Sequence, residues 1–336
     1  MNENLTVFYW LNDDRIQRLG FGQIFNEHCS SKGINLKRLN FSSNNEHVEG
    51  GGLFIHKLSD LIHALENGNN KEEAKEQLNN YEKWIKANPQ IDVIDELSIT
   101  LPLLDRFKTA QMINEICLKV DPNKFFIPPF CQILSSQQQV DTSCQLAKNN
   151  VKFPIICKPI SISSHENVVV TSIEGLASVS FPCIAQSIVA HSGVYYKIFV
   201  IGDQLYCLEH SSLPDPSQLM MHLVAPAFHF NTKTLAKDIS KHFNPNRSKS
   251  GRRPTSEELQ TLAKALRHEI KMELFGADLL VDSDSDRIAC IDVNPFPGYR
   301  GIPDFHSVLS NFFIQRWKRQ ISFEMNPPIF IEFDHQ

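Results

Sequence analysis

The sequence predicts a mixed α/β protein. A small parallel-sheet, Rossmann-like domain comes first, and a longer strand-rich region closes on an antiparallel hairpin. Three stretches predict this. The N-terminal third alternates apolar strands with helices, the rhythm of a parallel sheet carrying helices on its faces. The middle holds short apolar strands in close succession: Phe153–Lys158, Val168–Thr171, Cys183–Ser187, Tyr195–Ile201 and Leu205–His210. Near the C-terminal end, Phe275–Asp282, the turn Ser283–Asp286 and the apolar run from Ala289 form the hairpin.

Taken in order, Leu5–Leu11 is the first strand. Asn12 or Asp13 caps a helix to about residue 31, with Gly33 at its end. Ile34–Phe41 is the second strand and, after Gly50, Gly51 and Gly52, Leu53–Lys57 is the third. Residues 70–88 form a polar amphipathic helix ending before Pro89, and Ile91–Ile94 a further strand. Leu103–Lys108 opens a helix with Asp105 near its start. A strand at about 130–134 follows Pro128 and Pro129, and Asp141 or Thr142 starts a helix to about residue 149. Residues 212–234 read as irregular, and Asn244–Arg253 as a basic, turn-rich surface loop. Thr255 and Glu258 spell a capping box for a helix running to about Leu274, with Gly276 as its stop. Asp304 caps a last helix to about residue 320. The expected division is 1–102, 103–190 and 191–320, with a tail over 321–336.

Composition narrows the function classes. The 336 residues are 42% hydrophobic and 21% charged, with formal net charge -5. That size allows two or three domains. The acidic balance argues against general nucleic-acid binding, while leaving room for a local basic cleft around an anionic small molecule. Eight cysteines (Cys29, Cys117, Cys131, Cys144, Cys157, Cys183, Cys207 and Cys290) show no metal-ligand spacing. They read as buried free thiols in a reducing compartment. No apolar run reaches the roughly 18 residues of a membrane span. A cytoplasmic protein is therefore expected, acting as a monomer without membrane or nucleic-acid partners.

The hairpin carries the chemistry. Asp292 and Asn294 stand two apart on a strand and so share a face. Pro295 and Pro297 end the ladder, and Gly298 and Gly301 let backbone approach a ligand. Asp278, on the preceding strand, is placed to sit across from Asp292. A single aspartate at a strand end is ordinarily a cap or turn residue. Two carboxylates and an amide oxygen beside a Pro-Gly loop instead suit Mg2+, which takes one or two carboxylates together with substrate phosphates. Lys158 and Lys197 end up on apolar strands, where an unpaired charge is costly. Either they reach out to solvent or they meet fixed negative charge such as nucleotide phosphates. Arg15, Lys57 and Arg106 lie near strand ends of the N-terminal part, and Lys57 is at a carboxyl end, where open α/β sheets bind ligands. Gln186 interrupts an apolar strand that is either core or an adenine-facing hinge.

These motifs, in this order, resemble the inositol-tetrakisphosphate 1-kinase family, also called inositol 1,3,4-trisphosphate 5/6-kinases, over most of residues 5–318. The resemblance implies the ATP-grasp fold. It implies that Arg15, Lys57, His165, Lys197, Asn294 and Gly298 contact the inositol phosphate. By the same resemblance Arg106, Lys158, Gln186, Ser187, Ile188, Val189 and His210 contact ATP, and Asp278, Asp292 and Asn294 hold Mg2+. Lys197 and His165 would serve the catalytic step. The sequence departs from the family after Lys158: Pro159–His165 is shorter than the family loop and has neither its glycine nor its first histidine. Ser161 and Ser163 are the replacement donors available there. His210 stands where the family usually has arginine.

The expected reaction is phosphoryl transfer from ATP to inositol 1,3,4-trisphosphate at the 5- or 6-position, to inositol 3,4,5,6-tetrakisphosphate at the 1-position, or to both. The alternatives are a binding homologue impaired in turnover and, further off, an ATP-grasp carboxylate-amine ligase.

Overall fold

The computed structural model describes residues 5–43, 47–67, 70–135, 139–161, 166–222, 225–231, 251–319 and 329–331. The N-terminal part is a four-stranded parallel sheet of β1 (Leu5–Trp10), β2 (Ile34–Arg38), β3 (Gly52–His56) and β4 (Ile91–Val93), in the order β2-β1-β3-β4. β3 is buried along its whole length, its terminal His56 included, as befits a central parallel strand.

The first helix is two helices. α1 (Asp13–Leu19) is capped by the Asn12 side chain, and α2 (Gln23–Ser31) follows after a break. Gly20 takes φ 68° and its N–H closes on the Gln17 and Ile16 carbonyls, which ends α1 as a left-handed cap. The break lets Phe21 turn inward, where its ring meets Tyr9 and Phe25. An unpredicted helix, α3 (Ser59–Asn67), precedes α4 (Lys71–Ala87), and a short turn of helix, α5 (Leu97–Thr100), leads out of this part.

Asp105 caps α6 (Arg106–Val120), its carboxylate accepting from the Phe107 and Lys108 amides. Beyond α6 the chain builds two sheets. The six-stranded sheet, in the order β15-β11-β10-β13-β14-β5, contains β5 (Phe125–Phe126), β10 (Val194–Ile201), β11 (Gln204–Ser211), β13 (Leu274–Val281), β14 (Ile288–Pro295) and β15 (Ile329–Ile331). The five-stranded antiparallel sheet, in the order β12-β8-β7-β9-β6, contains β6 (Phe130–Ile133), β7 (Ile155–Pro159), β8 (Glu166–Val170), β9 (Cys183–Ser187) and β12 (Ala227–Asn231). Two further helices are α7 (Gln139–Lys148) and α8 (Pro216–His222).

The stretch 212–234 is thus not irregular. It holds α8 and β12, and β12 pairs with β8 because Phe228 and Phe230 continue a hydrophobic edge around Val169. Residues 223–224 and 232–234 lie outside the described residues. α9 (Ser256–Ile270) begins with the expected reciprocal Thr255–Glu258 capping box. It stops sooner than expected, at Lys271 with φ 60°. Gly276 lies inside β13 instead of ending the helix, and a Cβ there would come 3.2 Å from both the Ile198 carbonyl oxygen and the Pro297 ring. Asp304 directly precedes α10 (Phe305–Arg319), and its carbonyl accepts from Val308.

α6 and α9 cover one face of the six-stranded sheet. Ile113, Ile116, Leu262 and Leu266 pack there on Ile198, Val200, Phe275 and Ala277 in a single core. α2 and α10 pack together with the start of β1 and with the other sheet face around Phe199 and Tyr206. All eight cysteines are free thiols; Cys144, however, is exposed and Cys207 only part-buried, against the expectation that all are buried.

Charged groups stitch the N-terminal sheet to the six-stranded one. Arg316 pairs with Asp92 at 2.7 Å and Glu273 at 2.6 Å, and Arg267 pairs with Glu273 at 2.9 Å and Asp203 at 2.7 Å. Beside them, Asp95 accepts from the Glu273 and Leu274 amides at 2.7 and 2.8 Å. Burial, with the Glu273 charge adding to it, pushes the Asp95 carboxyl up to about 7, against the two amide hydrogen bonds and the Arg316 charge. The folded state therefore holds the Asp95 proton more tightly than the unfolded chain does. Its contribution to stability is complete below the ordinary carboxylate value and is lost as pH rises through about 7. Urea unfolding of Asp95→Asn should accordingly show lower stability than wild type at pH 5, with the difference narrowing by pH 8. A constant difference would remove Asp95 from the pH response.

Candidate active site

The hairpin β13–β14 pairs Asp278 directly with Asp292, as the sequence led one to expect. Its register then shifts: Leu279 pairs with Cys290, leaving Ile291 as a bulge. In a regular strand Ile291 and Asp292 would face opposite ways. The bulge brings both to the wall of one cleft. Asn294 follows on the Asp292 face and donates from Nδ2 to Asp292 Oδ2 at 3.3 Å, which turns its amide oxygen away from Asp292.

This cleft, of about 610 Å³, lies where the three sheets meet. From β10, Lys197 crosses to its strand partner Asp278 and donates to Oδ1 at 2.7 Å. Burial works against the Lys197 charge, but the Asp278 charge and hydrogen bond outweigh it and its pKa is raised. From β7, Lys158 donates to Gln186 Oε1 at 3.0 Å and to the Ile291 carbonyl at 3.4 Å. Burial lowers the Lys158 pKa while the neighbouring Asp292 carboxylate opposes the shift. Arg106, at the start of α6, donates from Nη1 to the Pro159 and Ser161 carbonyls at 2.8 and 3.0 Å. It lines the cleft while bracing the chain after Lys158.

The opposite wall comes from the N-terminal sheet. Arg15 pairs with Asp60 at 2.8 Å and reaches the Phe296 carbonyl at 3.4 Å. Lys57, 6% exposed, donates to the Pro295 carbonyl. Burial first, and repulsion from Arg15 second, bring the Lys57 pKa down to about 7. These two cations hold the Pro295–Gly298 loop against the sheet. Gly298 lines the cleft with open space where a Cβ would stand.

Not every expected residue faces the cleft. The Ser187 and Ile188 amides donate to the Pro129 and Pro154 carbonyls, bracing neighbouring strands. Gln186 borders a small void under Lys158 and Arg106, and the Val189 carbonyl meets His191. His210 stacks on Tyr195, which does line the cleft. Ser161 gives its hydroxyl to Glu66 at 2.7 Å. Ser163 and His165 lie outside the described residues, as does 244–250 of the basic loop. Arg252, at the end of that loop, is spent on Glu258, and Arg253 meets Glu209.

The cleft also contains Asn12, Asp60, His63, Asn167, Ser212 and Phe230. Asp60 and His63 sit three apart on α3, a helix that the sequence reading passed over. Ser212 and Phe230 belong to the stretch 212–234, whose sequence predicts irregular chain.

The donor set of Asp278, Asp292 and Asn294 is all oxygen, which fits a hard divalent cation. Among the described residues no group of three or more His, Cys, Asp or Glu is placed to hold a metal. With Lys158 and Lys197 beside these oxygens, the arrangement can grip phosphate groups between fixed cations and a bound metal.

Comparison with known proteins agrees with this chemistry. Residues 6–99 match the inositol 1,3,4-trisphosphate 5/6-kinase pre-ATP-grasp domain, and residues 119–315 its ATP-grasp domain. The inositol-tetrakisphosphate 1-kinase of Xenopus laevis is 32% identical over 311 residues, 91% of this chain and 77% of that protein. That of Danio rerio is 31% identical over 306 residues, 89% of this chain and 76% of that protein. The crystal structure of the D-cycloserine synthetase DcsG has the same ATP-grasp fold, with a TM-score of 0.58 at 11% identity over 93% of this chain and 99% of that one. By its two matching domains and these relatives, the chain belongs to the inositol 1,3,4-trisphosphate 5/6-kinase family.

Proposed function

We propose that this inositol polyphosphate kinase transfers the γ-phosphoryl group of ATP to inositol 1,3,4-trisphosphate at the 5- or 6-hydroxyl, to inositol 3,4,5,6-tetrakisphosphate at the 1-hydroxyl, or to both. The observation that carries the reading is one cleft with an oxygen-donor hairpin and Lys158 on one side and the Arg15–Lys57 wall on the other. Such a reaction needs positioning and charge stabilisation more than covalent work by the protein. Lys158, oriented by Gln186, neutralises nucleotide phosphate. Arg106 keeps the Pro159–Ser161 backbone in place beside it. Lys197 spans the gap between Asp278 and the acceptor, and with His165 meets the phosphate that moves. Arg15, Lys57, Asn294 and Gly298 receive the inositol phosphate. Asp278, Asp292 and Asn294 would hold Mg2+, which when bound offsets negative charge on the triphosphate.

Action as a monomer is part of this proposal. Among the described residues no helix is long and apolar enough to cross a membrane. The free cysteines support a cytoplasmic location.

The test is incubation with Mg-ATP and each inositol phosphate, with products separated by anion exchange. A new peak carrying one more phosphate, dependent on protein and ATP, is expected. ATP binding with no product from either acceptor would overturn the reading. Gly298 offers a finer check. Its open surroundings predict that Gly298→Val leaves thermal unfolding unchanged. It should raise KM for the inositol phosphate about tenfold, the scale for an added hydrocarbon group in a fitted pocket. An unchanged KM would remove Gly298 from the acceptor site.

A further inference from the structure

His63 stands out on the N-terminal wall. It lies on α3 and lines the cleft together with Arg15, Arg18 and Lys57. Its neighbours are committed: Asp60 accepts from Asn12 and Arg15, Lys57 donates to the Pro295 carbonyl, and Glu66 accepts from Ser161. His63 itself is not. Its Nδ1 is sealed from solvent and has no hydrogen-bond partner among the described residues, and Glu66 Oε2 stands 3.9 Å away, beyond hydrogen-bond reach. The side chain is 19% exposed, so the ring meets the cleft while Nδ1 looks back towards Glu66.

An imidazole so placed does little for the fold. A hydrophobic side chain would fill the space without a polar atom left over, and an ion pair with Glu66 would close the remaining gap. The position instead suits a ring that becomes charged when an anion arrives. As imidazolium both ring nitrogens donate. One is then directed at Glu66, the other into the cleft. We infer that His63 is a proton-linked phosphate-binding residue, gripping one phosphate of the inositol polyphosphate with Glu66 as the carboxylate behind it. The inference rests on the functional reading above.

The charges around the ring fix the direction of the linkage. Burial lowers the His63 pKa, Asp60 and Glu66 oppose the shift, and Lys57 and Arg15 reinforce it. Burial and the two cations thus favour the neutral ring in the free protein. A bound phosphate adds negative charge and favours the protonated ring, so binding takes up a proton. Affinity falls as pH rises through the His63 pKa of the complex.

The experiment is calorimetric titration of the full chain with inositol 1,3,4-trisphosphate between pH 6 and 8, in two buffers of unlike ionisation enthalpy. Wild type should take up more protons than His63→Gln, by a difference approaching one. His63→Gln should bind about tenfold more weakly near pH 6, and the difference should shrink by pH 8. The imidazole NMR signal of His63 in wild type should titrate at higher pH once ligand is added. Wild-type binding with the same affinity and proton count in His63→Gln, or a His63 signal unmoved by ligand, would overturn the inference alone. Absence of inositol phosphate binding by wild type would overturn it together with the functional reading.

Discussion

Asp292→Ala should lower kcat by about 10³-fold or more, the scale on which loss of a group aimed at transition-state charge is felt. It should leave the fold in place. Among the described residues the Asp292 side chain makes only local bonds, accepting from the Val293 amide at 3.0 Å and from the Asn294 side chain at 3.3 Å. Its reach is electrostatic. The same carboxylate favours the charged forms of Lys158 and Arg106, both partly disfavoured by burial. Removing it therefore takes one oxygen from the proposed cation site and loosens the charge on two cleft-lining cations at once. Asp292→Asn keeps the shape and one acceptor but loses the charge, and it should be nearly as inactive as alanine. The measurement is single-turnover product formation with thermal unfolding of each variant alongside. Near-normal turnover in a folded Asp292→Ala protein would dismiss the metal assignment and, with it, the reading of the hairpin as the reacting end of the cleft.

What the sequence made legible follows from where the signals are local. The hairpin was readable because period-two spacing puts Asp292 and Asn294 on one face, and a short turn forces Asp278 opposite. The capping box at Thr255 and Glu258 is likewise a local code. The bulge at Ile291 was not readable, because the register shift is set by pairing with β13 and leaves no residue signature in Ala289–Val293. The break at Gly20 is obscured for a different reason: the apolar spacing continues through it, and the left-handed cap of Gly20 is reinforced by the packing of Phe21 on Tyr9 and Phe25, which no local spacing announces. β12 depends on a partner, β8, some sixty residues earlier. Its alternation of Phe228 and Phe230 gains meaning only once Val169 supplies a surface. The same limit hid His63. α3 was passed over, so a histidine three residues beyond Asp60 could not be assigned to the Arg15–Lys57 wall.

Lys197→Met separates stability from catalysis at the other large contact. The pair is largely shielded, with 20% of the Lys197 and 17% of the Asp278 side chain exposed. Losing the ammonium strands the Asp278 carboxylate in that setting. The cost should be about 2 kcal/mol, below the range for a fully buried pair because some water remains. Asp278→Asn in the same chain removes the stranded charge, so the double variant should recover most of the lost stability. Activity should behave otherwise. Both groups face the proposed reacting phosphate, so kcat/KM should fall about 10²-fold for each single variant and should not recover in the double one. The raised Lys197 pKa makes the pair's contribution complete below the ordinary lysine value and lost only in strong alkali. The stability difference should therefore hold constant from pH 6 to 9, unlike that of Asp95. Urea unfolding of the four proteins, paired with initial rates on inositol 1,3,4-trisphosphate, gives both cycles. Because Asp278 is itself a proposed Mg2+ ligand, the role of Lys197 is read from its single variant. Near-normal kcat/KM in folded Lys197→Met would make Lys197 a strut for Asp278; a fall of about 10²-fold in protein that is folded at the assay temperature places its charge in the phosphoryl transfer itself.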